Sequence, residues 1–117
     1  MKPRFQADND LRSAIRSGVI RREPSVDFRS ARDAFLDGVS DLDVLRLAME
    51  QSRMLVSHDE NSMRAHFIEF LQSGNESPGL LLVPQGSSTG LAIESILLIW
   101  IASEANEWIN RLTWLPL

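Results

Sequence analysis

Asp8, Asp41 and Asp59 are the residues of this 117-residue chain whose type and spacing could do chemistry together. Asp8 follows the stretch RFQA, Asp59 follows the apolar run Met54-Leu55-Val56 by way of Ser57 and His58, and Asp41 opens a helical pattern behind Ser40. In open α/β sheets, ligands bind at the carboxyl ends of the strands, where the following helices begin. Carboxylates brought to that edge form an all-oxygen donor set suited to Mg²⁺ or Mn²⁺, and such ions keep several waters, so two or three Asp suffice. An ion held there can polarise a phosphodiester and turn a bound water into a nucleophile. Without an ion, clustered carboxylates repel and at least one pKa rises. Asp is equally favoured at helix starts as a cap and by the helix dipole, and for each of the three the sequence leaves both roles open.

Around these three stand weaker candidates. Asp10 is either a supporting or direct ligand beside Asp8 or a solvated first-turn acid, and Ser57 either bonds Asp59 or a phosphate or satisfies backbone. Arg12 and Arg16 lie one turn apart and are candidates for contacts to a nucleic-acid backbone, or a solvated helix face. His58 and His66 are the only histidines, and with no cysteine in the chain a nitrogen- or sulfur-based zinc site is not expected. Strand geometry predicts that His58 points away from Asp59. Trp100, Trp108 and Trp114 all fall in the apolar tail and read as core or interface anchors.

The elements that must position these residues are legible from periodicity. A short strand at 4–7 delivers Asp8. Leu11, Ile15 and Val19 recur at helical spacing, so 9–22 reads as an amphipathic helix that Glu23-Pro24 ends. Strands are expected at 26–28, 54–56, 80–83 and 112–115, and 29–38 mixes a turn of helix with loop. Ser40 and Asp43 mark the capped start of a helix with Leu42, Leu45, Ala48 and Met49 on its buried stripe. A third helix spans 61–73 and stops at Gly74. The last helix, 91–108, is apolar for every residue from Ile96 to Ala102, which predicts burial on two sides and hence a homodimer through this segment. The alternation of strands and helices predicts a single domain over 1–117: a three-layer α/β/α sandwich on a mostly parallel sheet with right-handed crossovers.

Composition narrows the functional classes. The net charge of −4 is unevenly spread: residues 1–32 hold eight of the twelve basic residues and 33–117 hold twelve of the sixteen acidic ones. Bulk charge therefore argues against nucleic-acid binding, while a local basic stripe remains able to steer a phosphate chain. The apolar run at 96–102 falls far short of the ~18 residues that span a bilayer, and the N-terminus lacks an apolar signal core, so a cytoplasmic protein without membrane contact is expected. Asp8-Asn9-Asp10 imitates the opening of a haloacid-dehalogenase phosphatase, but Arg12 stands where that pattern needs a hydroxyl. Lys2 is the only lysine, which leaves a response-regulator receiver without its cation, and phosphate-binding or nucleophile-elbow motifs are absent.

The stretches FQADNDLRSAI and GVSDLDVLRLAMEQSRMLVSHDENSM, followed by SPGLLLVPQ, AIESILLIW and WLPL, resemble the short PIN-like proteins over nearly the whole chain. That family runs strand, Asp, a Glu-Asn or similar pair and Leu, then Ser-Asp-x-x-[IVL]-L, then a Val-Leu-Val strand into Thr-x-Asp. The resemblance implies a PIN-like fold and a metal-dependent ribonuclease similar to VapC-type toxins, with a small antitoxin protein as partner and RNA as substrate. It carries the family's acids onto Asp8, Asp41 and Asp59 as catalytic and Mg²⁺- or Mn²⁺-binding residues. Asn61 stands where many relatives have a further Asp, as a weaker ligand, and the Glu that longer members carry on an earlier helix has no clear counterpart. Those departures imply a thinner metal shell and keep a degenerate binding module as the alternative.

Overall fold

A computed structural model describes residues 1–117. Five short strands, β1 (Phe5–Ala7), β2 (Phe28–Arg29), β3 (Met54–Ser57), β4 (Leu80–Leu82) and β5 (Leu112–Trp114), form one sheet in the order β2-β1-β3-β4-β5. Every neighbouring pair is parallel, with Ala7 opposite Val56 and Ser57 opposite Leu82. The expectation of a mostly parallel sheet is met by one that is parallel throughout. Helices α1 (Ser13–Arg22) and α4 (Thr89–Ala102) cover one face, and α2 (Asp41–Glu50) and α3 (Ser62–Gln72) cover the other. This is the three-layer α/β/α sandwich. No helix is long and apolar enough to cross a membrane.

The period-two alternation of strand side chains divides the core in two. Phe5, Ala7, Met54, Val56, Leu81 and Val83 point toward α1 and α4, where Ile15, Val19, Ile96 and Ile99 meet them. Leu55, Leu80 and Leu82 point the opposite way, against Val44, Leu45, Phe67 and Phe70 of α2 and α3. Both faces of the sheet are apolar, which is why its strands read as unbroken hydrophobic runs. The chain also places all five strand ends along one edge, and that edge carries the acids.

Several boundaries differ from the sequence reading. α1 begins at Ser13 rather than Asn9, because Asp8, Asn9 and Asp10 use their side chains in hydrogen bonds that hold a turn open before the helix starts. α4 stops at Ala102. Ser103 breaks it and accepts from Trp108 Nε1 at 2.8 Å, and Glu104 opens a separate 3₁₀ turn (Ala105–Trp108) through a reciprocal capping box with Glu107. Ser40 caps α2 as expected, its hydroxyl accepting from the Asp43 amide at 3.3 Å. The segment 30–38 is a series of turns pinned by buried Ala34 and Leu36. Within it Phe35 has a φ of 57° and is 83% exposed. On α4 the apolar run is only half covered: Ile96 and Ile99 are buried, while Leu98 and Ile101 face outward.

Candidate functional site

β1 ends at Ala7 and β3 at Ser57, and their register brings Asp8 beside Ser57 at the carboxyl edge. The Ser57 hydroxyl donates to Asp8 Oδ2 at 2.8 Å and also lies 3.3 Å from Asp10 Oδ1. Asp10 accepts the His58 amide at 3.2 Å, so a backbone donor fixes it at the same spot. One hydroxyl carries one proton, and two carboxylates share it. Asp10 therefore lies beside Asp8 at the site while remaining exposed to solvent. Ser57 bonds Asp59 only through the Asp59 amide, which donates to its oxygen at 3.0 Å.

The arrangement repeats where α2 and α3 begin. The Ser62 hydroxyl donates toward Asp41 Oδ2 at 3.1 Å and contacts Asp59 Oδ2 as well. His66, one turn beyond Ser62 on α3, sets Nδ1 at 2.9 Å from the same Asp41 oxygen. Asp59 also receives the Asn61 amide at 3.2 Å and the Ser62 amide at 2.9 Å. Asp59 thus holds the turn that leads into α3, where Asn61 occupies the N-cap position. Asn61 contributes that amide, and its side chain bonds nothing in the protein.

The electrostatics separate the two pairs. Burial pushes the Asp8 carboxyl up; the Ser57 hydroxyl and the Asn9 amide pull it back, the charges of Asp10 and Asp41 push it further, and it rests above the usual carboxylate range. For Asp59, burial is again the largest influence and raises it, but the Ser62 hydroxyl and amide together with the amides of Asn61 and Met63 outweigh it and hold the carboxyl below its usual range. Asp8 lacks compensation for its charge, whereas Asp59 has found it in the helix start.

A convergence of Asp8, Asp41 and Asp59 on one ion does not occur, and no three of the chain's Asp, Glu or His side chains are grouped to hold a metal. The physical reason is the competition at the start of α3, where the amides of Asn61, Ser62 and Met63 hold the Asp59 carboxylate. What the edge offers is an oxygen-only pair, Asp8 and Asp10, with Asp41 close enough to raise Asp8. That donor set fits a hard cation that keeps most of its waters and takes one or two carboxylates. It does not fit a dry three-carboxylate cage.

The remaining candidates are engaged elsewhere. Arg12 ties the start of α1 to the β4–α4 loop, donating to His58 Nε2 at 3.2 Å, Thr89 Oγ1 at 2.9 Å and the Ser87 carbonyl at 3.0 Å. Arg16 donates through Nε to the Phe28 carbonyl at 2.6 Å. Arg12 is committed through all three nitrogens, whereas Arg16 is held by Nε alone and its Nη1 and Nη2 have no protein partner. His58 is buried and spends Nδ1 on the Val83 carbonyl at 2.8 Å and Nε2 on Arg12, which leaves no free nitrogen for acid–base chemistry. Gln6, one pleat before Asp8 on the same side of β1, is buried with its Oε1 unpartnered. Ser62 escaped the sequence reading, which weighed His66 only as a zinc ligand; the signal for both was Asp59-x-x-Ser62 followed one turn later by His66.

Replacing Asp59 with Ala should cost about 1 kcal/mol of stability, the usual worth of a side chain that binds the first amides of a helix. Urea denaturation of the variant measures it. A midpoint equal to that of the parent would mean the Asp59 carboxylate is free for another task.

No family model matches the chain, and comparison with curated proteins and with solved structures finds no match either.

Proposed function

We propose that the protein is a metal-dependent endoribonuclease of the PIN-like type, the toxin of a toxin–antitoxin pair. The observation that carries the proposal is the Asp8–Ser57–Asp10 arrangement: two carboxylates at a parallel strand edge sharing one hydroxyl proton, with Asp8 raised for want of compensating charge. The toxin role, the small antitoxin and the RNA substrate rest on the sequence resemblance. The uncovered Leu98 and Ile101 support a homodimer through the segment 96–102.

In this reading Asp8 and Asp10 would hold Mg²⁺ or Mn²⁺, and Ser57 orients the Asp8 carboxylate by donating to Oδ2. When bound, the ion would supply the polarisation of a phosphodiester and the acidification of a water. Asp41 is fixed through Oδ2 by His66 and Ser62, and its other oxygen, which has no protein donor, would be the one to take up a proton. Asp59 contributes by fixing the start of α3, and with it Ser62 and His66.

The capture of Asp59 by its own helix favours a second reading, a catalytically degenerate PIN-like module that binds protein or RNA. Cleavage of a mixed RNA pool with Mn²⁺, with EDTA, and by Asp8→Asn as the control for contaminating ribonuclease separates the two. Metal-dependent cleavage missing from the variant supports the nuclease; equal cleavage by both proteins, or none by either, favours the module.

A further inference from the structure

At the amino ends of β1, β3 and β4, the edge of the sheet opposite the acids, lies a cavity of about 610 Å³. That volume suits a small organic molecule. Three of the chain's four methionines line it, Met1, Met49 and Met54, together with Pro78 and Ile109. Met54 is buried in the core while Met1 and Ile109 are exposed, so the apolar lining runs from the interior out to solvent. Met54 also opens β3, whose far end carries Ser57, which separates the cavity from the carboxylate pair by about 10 Å of strand.

The charge on the lining is largely spent within the protein. Arg4 donates through Nε to Asp27 Oδ2 at 3.0 Å and through Nη1 to the Gln51 carbonyl at 3.0 Å, which commits two of its three nitrogens. The Glu104 carboxylate takes the Glu107 amide in its capping box and accepts from the Met1 amino group at 2.6 Å. Glu76 is the remaining charged side chain, and it makes no hydrogen bond or ion pair in the protein. Thioether side chains are unbranched and polarizable, so they adapt to the outline of a ligand and make favourable contacts with aromatic rings. An unpartnered carboxylate beside a wall of thioethers complements a molecule that is cationic at one end and flat and apolar over the rest.

We propose that this cavity binds a small aromatic cation, with its ring against Met49 and Met54 and its charged head on the Glu76 carboxylate. An amidinium or guanidinium head is the fitting form, since its parallel N–H donors match the two oxygens of a carboxylate. Glu76 is exposed, so the ion pair supplies selectivity, and contact with the apolar lining supplies most of the affinity. Binding here needs neither a metal nor cleavage at the opposite edge, and its test is independent of the nuclease reading.

The test titrates 4-aminobenzamidine, a flat cation, and 4-aminobenzamide, its neutral counterpart, into the whole chain labelled with methyl-¹³C methionine. Four methyl signals report on the result, and Met63, buried in the core on the α2–α3 face of the sheet, is the internal control. 4-Aminobenzamidine should shift the Met49 and Met54 methyl signals and leave Met63 in place. It should bind about 3- to 5-fold more tightly than 4-aminobenzamide, the ratio that an exposed ion pair yields. Glu76→Gln should bring the two affinities together while the Met49 and Met54 shifts persist. An absence of methyl shifts at millimolar probe, or shifts at Met63 as large as those at Met49 and Met54, would overturn the inference. So would equal affinity of the parent for cation and amide, or a preference for the cation that survives in Glu76→Gln.

Discussion

Asp8→Asn should abolish metal-dependent RNA cleavage, by at least about 1,000-fold, and at the same time make the protein more stable at neutral pH. The two effects have one origin. Asp8 is 7% exposed, and burial, with the charges of Asp10 and Asp41, lifts its carboxyl above the ordinary value of 3.8. A raised acid contributes stability that is complete below the unfolded-state pKa and is lost as pH climbs through the folded-state value. Above that folded-state value the stability is lost, and a neutral amide of the same shape avoids the loss. The melting temperature of the variant should therefore exceed that of the parent at pH 7, and the difference should shrink as pH falls toward 4. A variant that melts lower than the parent at pH 7 would show that the Ser57 and Asn9 bonds to the ionised carboxylate outweigh its desolvation. A variant that still cleaves would remove Asp8 from the chemistry.

The second large effect is expected from the ion itself. Mn²⁺ or Mg²⁺ held at Asp8 and Asp10 would supply the positive charge that the fold withholds, so saturating metal should stabilise the parent by about 2.7 kcal/mol at one hundred times its dissociation constant. For a domain of this size that is a rise of several degrees in the melting temperature. Asp8→Asn and Asp10→Asn should each lose most of the shift, and Asp59→Ala should keep it, because Asp59 serves its helix. Differential scanning fluorimetry with a metal titration against EDTA reads all four proteins. If the parent fails to respond to millimolar Mn²⁺, the edge is an acidic surface without an ion and the degenerate module is the better account. If Asp59→Ala alone abolishes the response, the carboxylate leaves its helix to reach the metal, and the assignment of Asp10 as its replacement is wrong.

These expectations divide along a physical line between local and non-local information. Strand and helix identity are written in short-range periodicity, which is why LLLV at 80–83 and the stripe Leu11, Ile15, Val19 could be placed, and why the capping hydroxyl of Ser40 was visible. The turn at 8–12 was not visible, since Asn9 and Asp10 leave the helix only to meet Leu36 and His58, partners tens of residues away. The break at Ser103 was hidden for a similar reason: its hydroxyl is committed to Trp108 around a corner that periodicity does not encode.

The sequence by itself determined the α/β class, the positions of four of the five strands (β2 falls two residues later than read) and the fact that Asp8 and Asp59 follow strands at one edge of a parallel sheet, because unbroken apolar runs and right-handed crossovers favour that arrangement. Only the tertiary structure decided what each carboxylate does there. Whether an acid is free for a ligand depends on the donors around it, and those come from different elements: the amides at the start of α3 claim Asp59, while burial and the shared Ser57 proton leave Asp8 under-supplied. The same holds for charge and for exposure. Arg12 reads as a phosphate contact until the β4–α4 loop folds onto it, and Phe35 reads as ordinary loop until Ala34 and Leu36 are buried and leave it standing in solvent.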